Sequence, residues 1–386
     1  MSKRINAVEK MKIAIITNDT TYTYNLRSQT ISKLHSSGHD VLIVTRLRSF
    51  SQELEHLGCR LIFIDNNRRG KNPFQDACLF LRYLTILKTE HPEVVFSFNI
   101  KPNIYCGMAC RILKIRFFPN IAGLGTALEF PGLMQKLTLA LYRTGIACAE
   151  TIFFQNRDNQ TFFEKRKLIS PKTNTVLLPG SGVDLSKYSP LPYPQGETVN
   201  FLFVSRVLKA KGIDYYLHAA KTIRRTHPDT VFHVCGLIDD SKYNKIINDA
   251  VSAGDIIYHG EQMHMQPFYK LASCVVHPSY YPEGMSNSLL EAAACARPII
   301  TTDRSGCVET VENGKTGFII PTRNEAELIN ALERFLALSW TQRRDMGLLG
   351  RKKMEREFDR AIVAEKYLQV ALSKDATAKE NRSNEL

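Results

Sequence analysis

The stretch "YYPEGMSNSLLEAAACARPII", Tyr280 to Ile300, sets two carboxylates, Glu283 and Glu291, eight residues apart around a small polar turn. Just before it stands "CVVHPS", Cys274 to Ser279, an unbroken apolar run of strand type. After the turn, "SLLEAAACA" has helical composition, with Ser286 or Asn287 as the N-cap. The order is therefore strand, loop, helix, with one acid in the loop and the other about one turn into the helix. Free N–H groups and the dipole at such a helix start favour a phosphate. Glu291 would then accept hydrogen bonds from a diol such as ribose, and Glu283 would orient hydroxyls of a second ring. By itself the spacing is common by chance; its plain reading is one acid complementing the dipole and one in solvent.

The same unit repeats in both directions. The first half holds "KIAIIT", "DVLIVT", "RLIFID", "VVFSFN", "FFPNIAG", "TIFFQN" and "TVLLPG". The second holds "NFLFVS", "VFHVCG", "IIYHG", "CVVHPS", "RPIITTD" and "GFIIP". Short apolar strands alternating with amphipathic helices predict parallel sheets covered on both faces. Two series predict an α/β chain of two Rossmann-like doubly wound domains facing a cleft. They break at "SPLPYPQGETVN", Ser189 to Asn200, which is rich in Pro and has no period. The expected division is a basic tail over 1–10, a first domain over 11–190 and a second over 199–355. A C-terminal helix follows over 356–373, then a polar, disordered tail over 374–386. A length of 386 residues suits two domains.

Charge is uneven. Up to Leu185 there are 25 Lys+Arg against 14 Asp+Glu, and the remainder holds 26 against 24. The basic first half asks for an anionic partner: nucleic acid, a phospholipid surface or a phosphorylated substrate. No apolar run reaches the ~18 residues that read as a membrane span, and no signal peptide is read at the start. The nine cysteines include no Cys-x-x-Cys, which favours free thiols over a disulfide framework or a zinc site.

In open parallel sheets, ligands sit beyond the carboxyl ends of the strands, so the loops there hold the candidates. The first loop, "NDTTYTYNLR", supplies Asn18, Thr20, Tyr24, Asn25 and Arg27, without the Gly-x-Gly-x-x-Gly dinucleotide fingerprint. Later loops supply Lys101, and Gly123 with Gly125. In the second half, "FLFVSRVLKAKGID" sets Arg206 and Lys211 beyond a strand and before a helix, a credible diphosphate clamp.

These pieces together resemble a known family. "EGMSNSLLE" is similar to the E-x7-E motif of retaining, nucleotide-sugar-dependent glycosyltransferases of family four. "PGSGVD", "VSRVLKAKGID" and "TDRSGCVETVENGKTGFIIP" fall in that family's order, and the likeness covers roughly residues 11 to 370. The resemblance implies the two-domain GT-B fold, with acceptor on the first domain, donor on the second, and a last helix that crosses back. It implies that Arg206 and Lys211 hold the donor diphosphate and stabilise it as it leaves, that Glu291 holds the ribose, and that Glu283 touches the transferred sugar. Gly284, Met285, Ser286 and Asn287 would present backbone groups, and Gly236, His259, Gly260 and Glu261 would lie near the base. Acceptor contacts would fall to Asn18, Thr20, Tyr24, Asn25, Arg27, Lys101, Gly123 and Gly125. No Asp-x-Asp occurs, so no metal and no separate cofactor are expected; the co-substrate is a nucleotide-sugar, UDP-linked. Many members carry a His in the first-domain loop facing the sugar, yet "NIAGLGTALEF" has none, and no general base is assigned.

"NIKPNIYCGMACR" and "NIAGLGTALEF" resemble the subgroup that extends polyprenyl-diphosphate-linked sugars in bacterial surface-glycan assembly. The expected reaction moves a hexose or N-acetylhexosamine to such a lipid-linked acceptor, by a cytoplasmic enzyme peripheral on the inner face of an anionic membrane. Arg68, Arg69 and Lys71 would approach phosphate or lipid. "PGLMQKLTLALYRTG" reads equally as an interfacial helix or as an ordinary core-facing one. The competing functions are a nucleotide-sugar epimerase of similar architecture and a basic nucleic-acid-binding protein. Acceptor-free sugar conversion marks the first, and steep salt-dependent nucleic-acid binding marks the second.

Overall fold

In the computed structural model, residues 10–65, 72–124, 128 and 132–373 are described. Seven strands form the first sheet: β1 (Lys12–Ile16), β2 (Asp40–Thr45), β3 (Arg60–Phe63), β4 (Val94–Phe98), β5 (Arg116–Ile121), β6 (Thr151–Phe154) and β7 (Asn174–Leu177). Their order is β3-β2-β1-β4-β5-β6-β7, and every pair is parallel. Six form the second: β8 (Val199–Val204), β9 (Thr230–Cys235), β10 (Ile257–Tyr258), β11 (Cys274–His277), β12 (Ile299–Thr302) and β13 (Gly317–Ile320). Their order is β10-β9-β8-β11-β12-β13, again all parallel. The two-domain α/β expectation holds strand for strand. Central strands such as β4 and β11 are buried along their whole length because helices cover both faces, whereas edge strand β3 is half exposed.

Strand order reverses between β1 and β4 in the first sheet and between β8 and β11 in the second. Both reversals open a crevice at the carboxyl ends, where a parallel sheet takes its ligands.

The connecting segment has little regular structure and is pinned to the second domain. The buried Arg297 guanidinium donates to the carbonyls of Leu191 and Pro192, and Trp340 Nε1 donates to Pro194 O at 2.7 Å. The last helix, Arg360–Leu372, returns to the first domain and packs on the helix Thr20–Ser36. There Val363, Tyr367, Leu368 and Ala371 join the apolar cluster of Ile13, Ile15, Phe96 and Phe98. Tyr367 meets Phe96 edge-on at 5.3 Å, and its hydroxyl accepts from Asn120. Backbone bonds between Val183 and both Phe358 and Arg360 tie this crossing to the end of the first domain.

One helix, which buries Tyr142 with Leu139 and Leu141 against the first-domain core, is built the wrong way round for water over its first turns. In Leu133–Gly145, Gln135 and Thr138 face the protein, while Leu133, Met134 and Leu137 face out. Gln135 is held inward by its bond to Leu128 O at 2.7 Å.

Candidate active site

The second crevice is lined by strand ends. After β8, Arg206 donates from Nη1 to Asp239 Oδ2 at 2.7 Å. Lys211 ends a short 3-10 turn, and Gly212 follows in the left-handed region at φ 78° to open the helix Ile213–Thr226. A Cβ on Gly212 would stand 2.1 Å from Pro278 O, so glycine is needed both for the turn and for bringing Lys211 against β11. Tyr281 lies between the two cations: Arg206 sits 5.6 Å and Lys211 5.0 Å from its ring centre.

Lys211 donates to Glu283 Oε1, and His277 Nε2 donates to the same oxygen at 3.3 Å. The pair is nearly dry, with side chains 9% and 13% exposed. Burial alone would raise the Glu283 pKa, but the charge of Lys211 and the hydrogen bond from His277 outweigh it and hold the carboxyl well below the usual range. Burial chiefly lowers the His277 pKa, so its ring is neutral and serves as a donor. His277, Glu283 and Cys307 put ligand-type atoms within 4.8 Å of one another. The Lys211 ammonium already takes the Glu283 carboxylate, however, and burial pushes the Cys307 thiol well up. That donor set fits an ammonium better than a metal ion.

Glu291 lies in the helix Asn287–Ala294, whose N-cap is Ser286 with extended backbone and no side-chain cap bond. Tyr269 donates to Glu291 Oε2 at 3.1 Å. Burial raises the Glu291 pKa, and hydrogen bonds from Tyr269 and Tyr188 oppose that shift. Within the turn, Met285 is buried against Gly180, which leaves its backbone as the group it can offer. Ser286 N is taken by Gly306 O at 2.7 Å, and Asn287 Oδ1 is buried with no partner among the described residues.

Gly236, His259 and Gly260 meet at the ends of β9 and β10, where Gly236 N donates to Gly260 O at 2.8 Å. A Cβ on Gly236 would fall 1.7 Å from Ser205 O, so this loop lies against the Arg206 loop. Glu261 is exposed beside it. Behind it, His233 Nε2 faces Asn200 Oδ1 at 3.1 Å and His233 Nδ1 faces His259 Nε2 at 3.0 Å. Burial first, and then the neighbouring His259, lower the His233 pKa to about 4. Neutral His233 donates to Asn200, so His259 Nε2 is the donor between the rings.

From the first domain, the structure brings Gly123 to this site, its Cβ position 3.2 Å from Gly284 N. Asn18 lies nearly buried at the end of β1. The other expected acceptor residues make the following contacts, Asn25 through its main chain, and the buried Arg27 guanidinium has no hydrogen-bond partner among the described residues. Thr20 accepts from Arg48 N, Tyr24 stacks on Phe50, and the Asn25 carbonyl accepts from Arg360. Lys101 is paired with Asp76 at 2.7 Å. Arg27 is fully buried, 4.1 Å from the centre of the Phe98 ring. Gly125, Arg68, Arg69 and Lys71 lie outside the described residues.

Several participants were missed in the sequence: Asp239, His277, Tyr281, Tyr269 and Asn156. The Asn156 amide reaches across the cleft, donating to Glu283 O at 3.0 Å and Gly284 O at 2.6 Å. It ends the run "TIFFQN", so considering every post-strand loop, rather than the most polar ones, would have found it.

The model for "Glycosyl transferases group 1" matches residues 194–353, and that for "Glycosyl transferase 4-like" matches residues 12–156. Among named relatives, one from Campylobacter jejuni is 24% identical over 379 residues, covering 93% of this chain and 98% of its own. It is N,N'-diacetylbacillosaminyl-diphospho-undecaprenol alpha-1,3-N-acetylgalactosaminyltransferase. Another, the Escherichia coli UDP-Gal:alpha-D-GlcNAc-diphosphoundecaprenol alpha-1,3-galactosyltransferase, is 24% identical and covers 71% of this chain and 74% of its own. Among solved structures, Anabaena HepE in complex with UDP and glucose superposes with a TM-score of 0.77 at 16% identity, covering 94% of this chain and 99% of that one. Sucrose-phosphate synthase from Thermosynechococcus elongatus gives 0.76 at 19% identity, covering 94% and 98%. Two family models fall one on each domain, relatives of that kind run along nearly the whole length, and the fold is theirs: the chain belongs to the GT4-type glycosyltransferases.

Proposed function

We propose that this glycosyltransferase moves a hexose or N-acetylhexosamine from a UDP-sugar to a polyprenyl-diphosphate-linked saccharide in bacterial surface-glycan assembly, with retention and without a metal. The observation that carries it is the convergence of Arg206, Lys211, the helix start at Asn287 and Glu291 on one crevice, facing the first-domain loop at Gly123. The names of the Campylobacter and Escherichia relatives supply the lipid-diphosphate acceptor class.

Negative charge grows on the leaving diphosphate during transfer. Arg206, Lys211 and the N–H groups of Asn287 and Ser288 at the helix start would meet it without a divalent ion. Both cations are matched to carboxylates before any donor arrives, so the diphosphate competes for them with Asp239 and Glu283. Glu283, kept ionised, would accept from sugar hydroxyls, and Glu291 from the ribose diol. Retention then follows from attack on the leaving-group face, with the departing phosphate taking the acceptor proton. No protein base is required for that step.

The partner surface is an anionic membrane. The inverted helix Leu133–Gly145 shows Leu133 84% exposed and Leu137 53% exposed, with Lys136 and Arg143 exposed on the same element. On the helix Pro73–Glu90, Phe74 is 83% exposed. Apolar groups flanked by cations suit insertion at a lipid headgroup boundary. Among the described residues no helix is long and apolar enough to cross a membrane. The test is release of UDP from UDP-galactose and UDP-N-acetylgalactosamine with a polyprenyl-diphosphate saccharide as acceptor. Conversion of the sugar nucleotide without acceptor would instead indicate an epimerase.

A further inference from the structure

The donor loop is held from the opposite domain. Asn156 follows β6 and is 3% exposed. Its Oδ1 caps the helix Arg157–Lys165 by accepting from Asn159 N at 2.8 Å. Its Nδ2 is thereby free to point across the cleft, where it bonds the carbonyls of Glu283 and Gly284. Around it the domains touch closely. A Cβ on Gly284 would stand 1.8 Å from Ala122 O and 2.7 Å from Gln155 Oε1. Gln155 in turn donates to Asn120 Oδ1 at 3.2 Å, and Asn120 reaches Tyr367 on the crossing helix.

A trans peptide is planar, so its C=O and N–H point in opposite directions. Fixing the carbonyls of Glu283 and Gly284 therefore fixes where the N–H groups of Gly284 and Met285 point. Lys211 and His277 restrain the Glu283 side chain from one domain, and Asn156 restrains its main chain from the other. The geometry points to Asn156 as a positioning residue that completes the transferred-sugar subsite only when the domains are together, so that binding of the nucleotide and transfer of its sugar are separable. This inference rests on the glycosyltransferase reading above.

The test uses Asn156→Asp and Asn156→Ser in the full chain. Both residues are good N-caps, so the helix Arg157–Lys165 keeps its start. Asp, however, puts a carboxylate against two carbonyls, and Ser is too short to bridge them. For both variants we expect a folded chain with one cooperative melt, at a Tm lowered by the two carbonyls left unpaired, and a UDP dissociation constant within about twofold of wild type. The kcat for UDP release from UDP-galactose or UDP-N-acetylgalactosamine with acceptor should fall on the order of 10²-fold, as for loss of a preorganised donor. Wild-type kcat in both variants overturns the inference. So does a proportional loss of UDP affinity and kcat, which would mark general damage to the nucleotide site. Wild-type protein that neither binds UDP nor uses either donor sinks the glycosyltransferase reading itself, and this inference with it.

Discussion

Lys211 and Glu283, 72 residues apart in the chain, form one nearly dry ion pair at the mouth of the second sheet. Removing one partner of such a pair leaves an uncompensated charge, at a cost of about 3–5 kcal/mol. Lys211→Met should therefore lower stability by that order, and Lys211→Met with Glu283→Gln should recover most of it. Neither should recover activity if, as proposed, the Lys211 ammonium holds the donor diphosphate; kcat should stay down on the order of 10²-fold. Denaturant melts and UDP-release assays on the single and double variants check both halves.

Glu291 carries the opposite balance. Its folded pKa is raised, with burial the chief cause, so the folded state holds that proton more tightly than the unfolded one does. Its contribution to stability is greatest below the unfolded carboxylate value and is lost as pH rises through the folded value. Glu291→Gln should then be more stable than wild type at neutral pH, the advantage closing as the pH is lowered. UDP affinity should fall at the same time. Melting temperatures across pH 4 to 8 and calorimetry with UDP provide the readouts; equal UDP affinity would remove Glu291 from the ribose site.

His233 reads in the reverse direction. Its pKa of about 4 lies below the ordinary 6.5, so the unfolded state takes up a proton first. The contribution is complete above 6.5 and is lost as pH falls from there through about 4. His233→Gln should flatten the acid limb of a stability profile in that window, as read by denaturant melts at fixed pH.

Vesicle binding tests the inverted helix. Leu133→Glu and Leu137→Glu should each weaken association with phosphatidylglycerol vesicles by about tenfold, the size expected for losing part of a buried leucine's transfer energy. Raising salt should weaken wild-type binding as Lys136 and Arg143 are screened. Sedimentation with vesicles measures both; no change for either variant would rule out this helix as a membrane contact.

The strands and their order along the chain were legible because each is encoded within about ten residues. "CVVHPS" has the unbroken apolar pattern of a covered strand, and "SLLEAAACA" has the composition of the helix Asn287–Ala294. The glycines at 212 and 236 mark close approaches, but what they approach lies on other strands.

Local pattern by itself determined the two parallel sheets and the strand-loop-helix units that carry Arg206, Lys211, Glu283 and Glu291. Tertiary structure decided the pairings: Arg206 with Asp239, Lys211 with Glu283, and Asn156 with a carbonyl 127 residues away. It also turned Gln135 inward and Leu133 outward, against the expectation for a water-facing helix, and buried Arg27 beneath its own helix. Periodicity reports which face of one element is apolar; burial, charge pairing and pKa depend on neighbours that only the folded chain supplies.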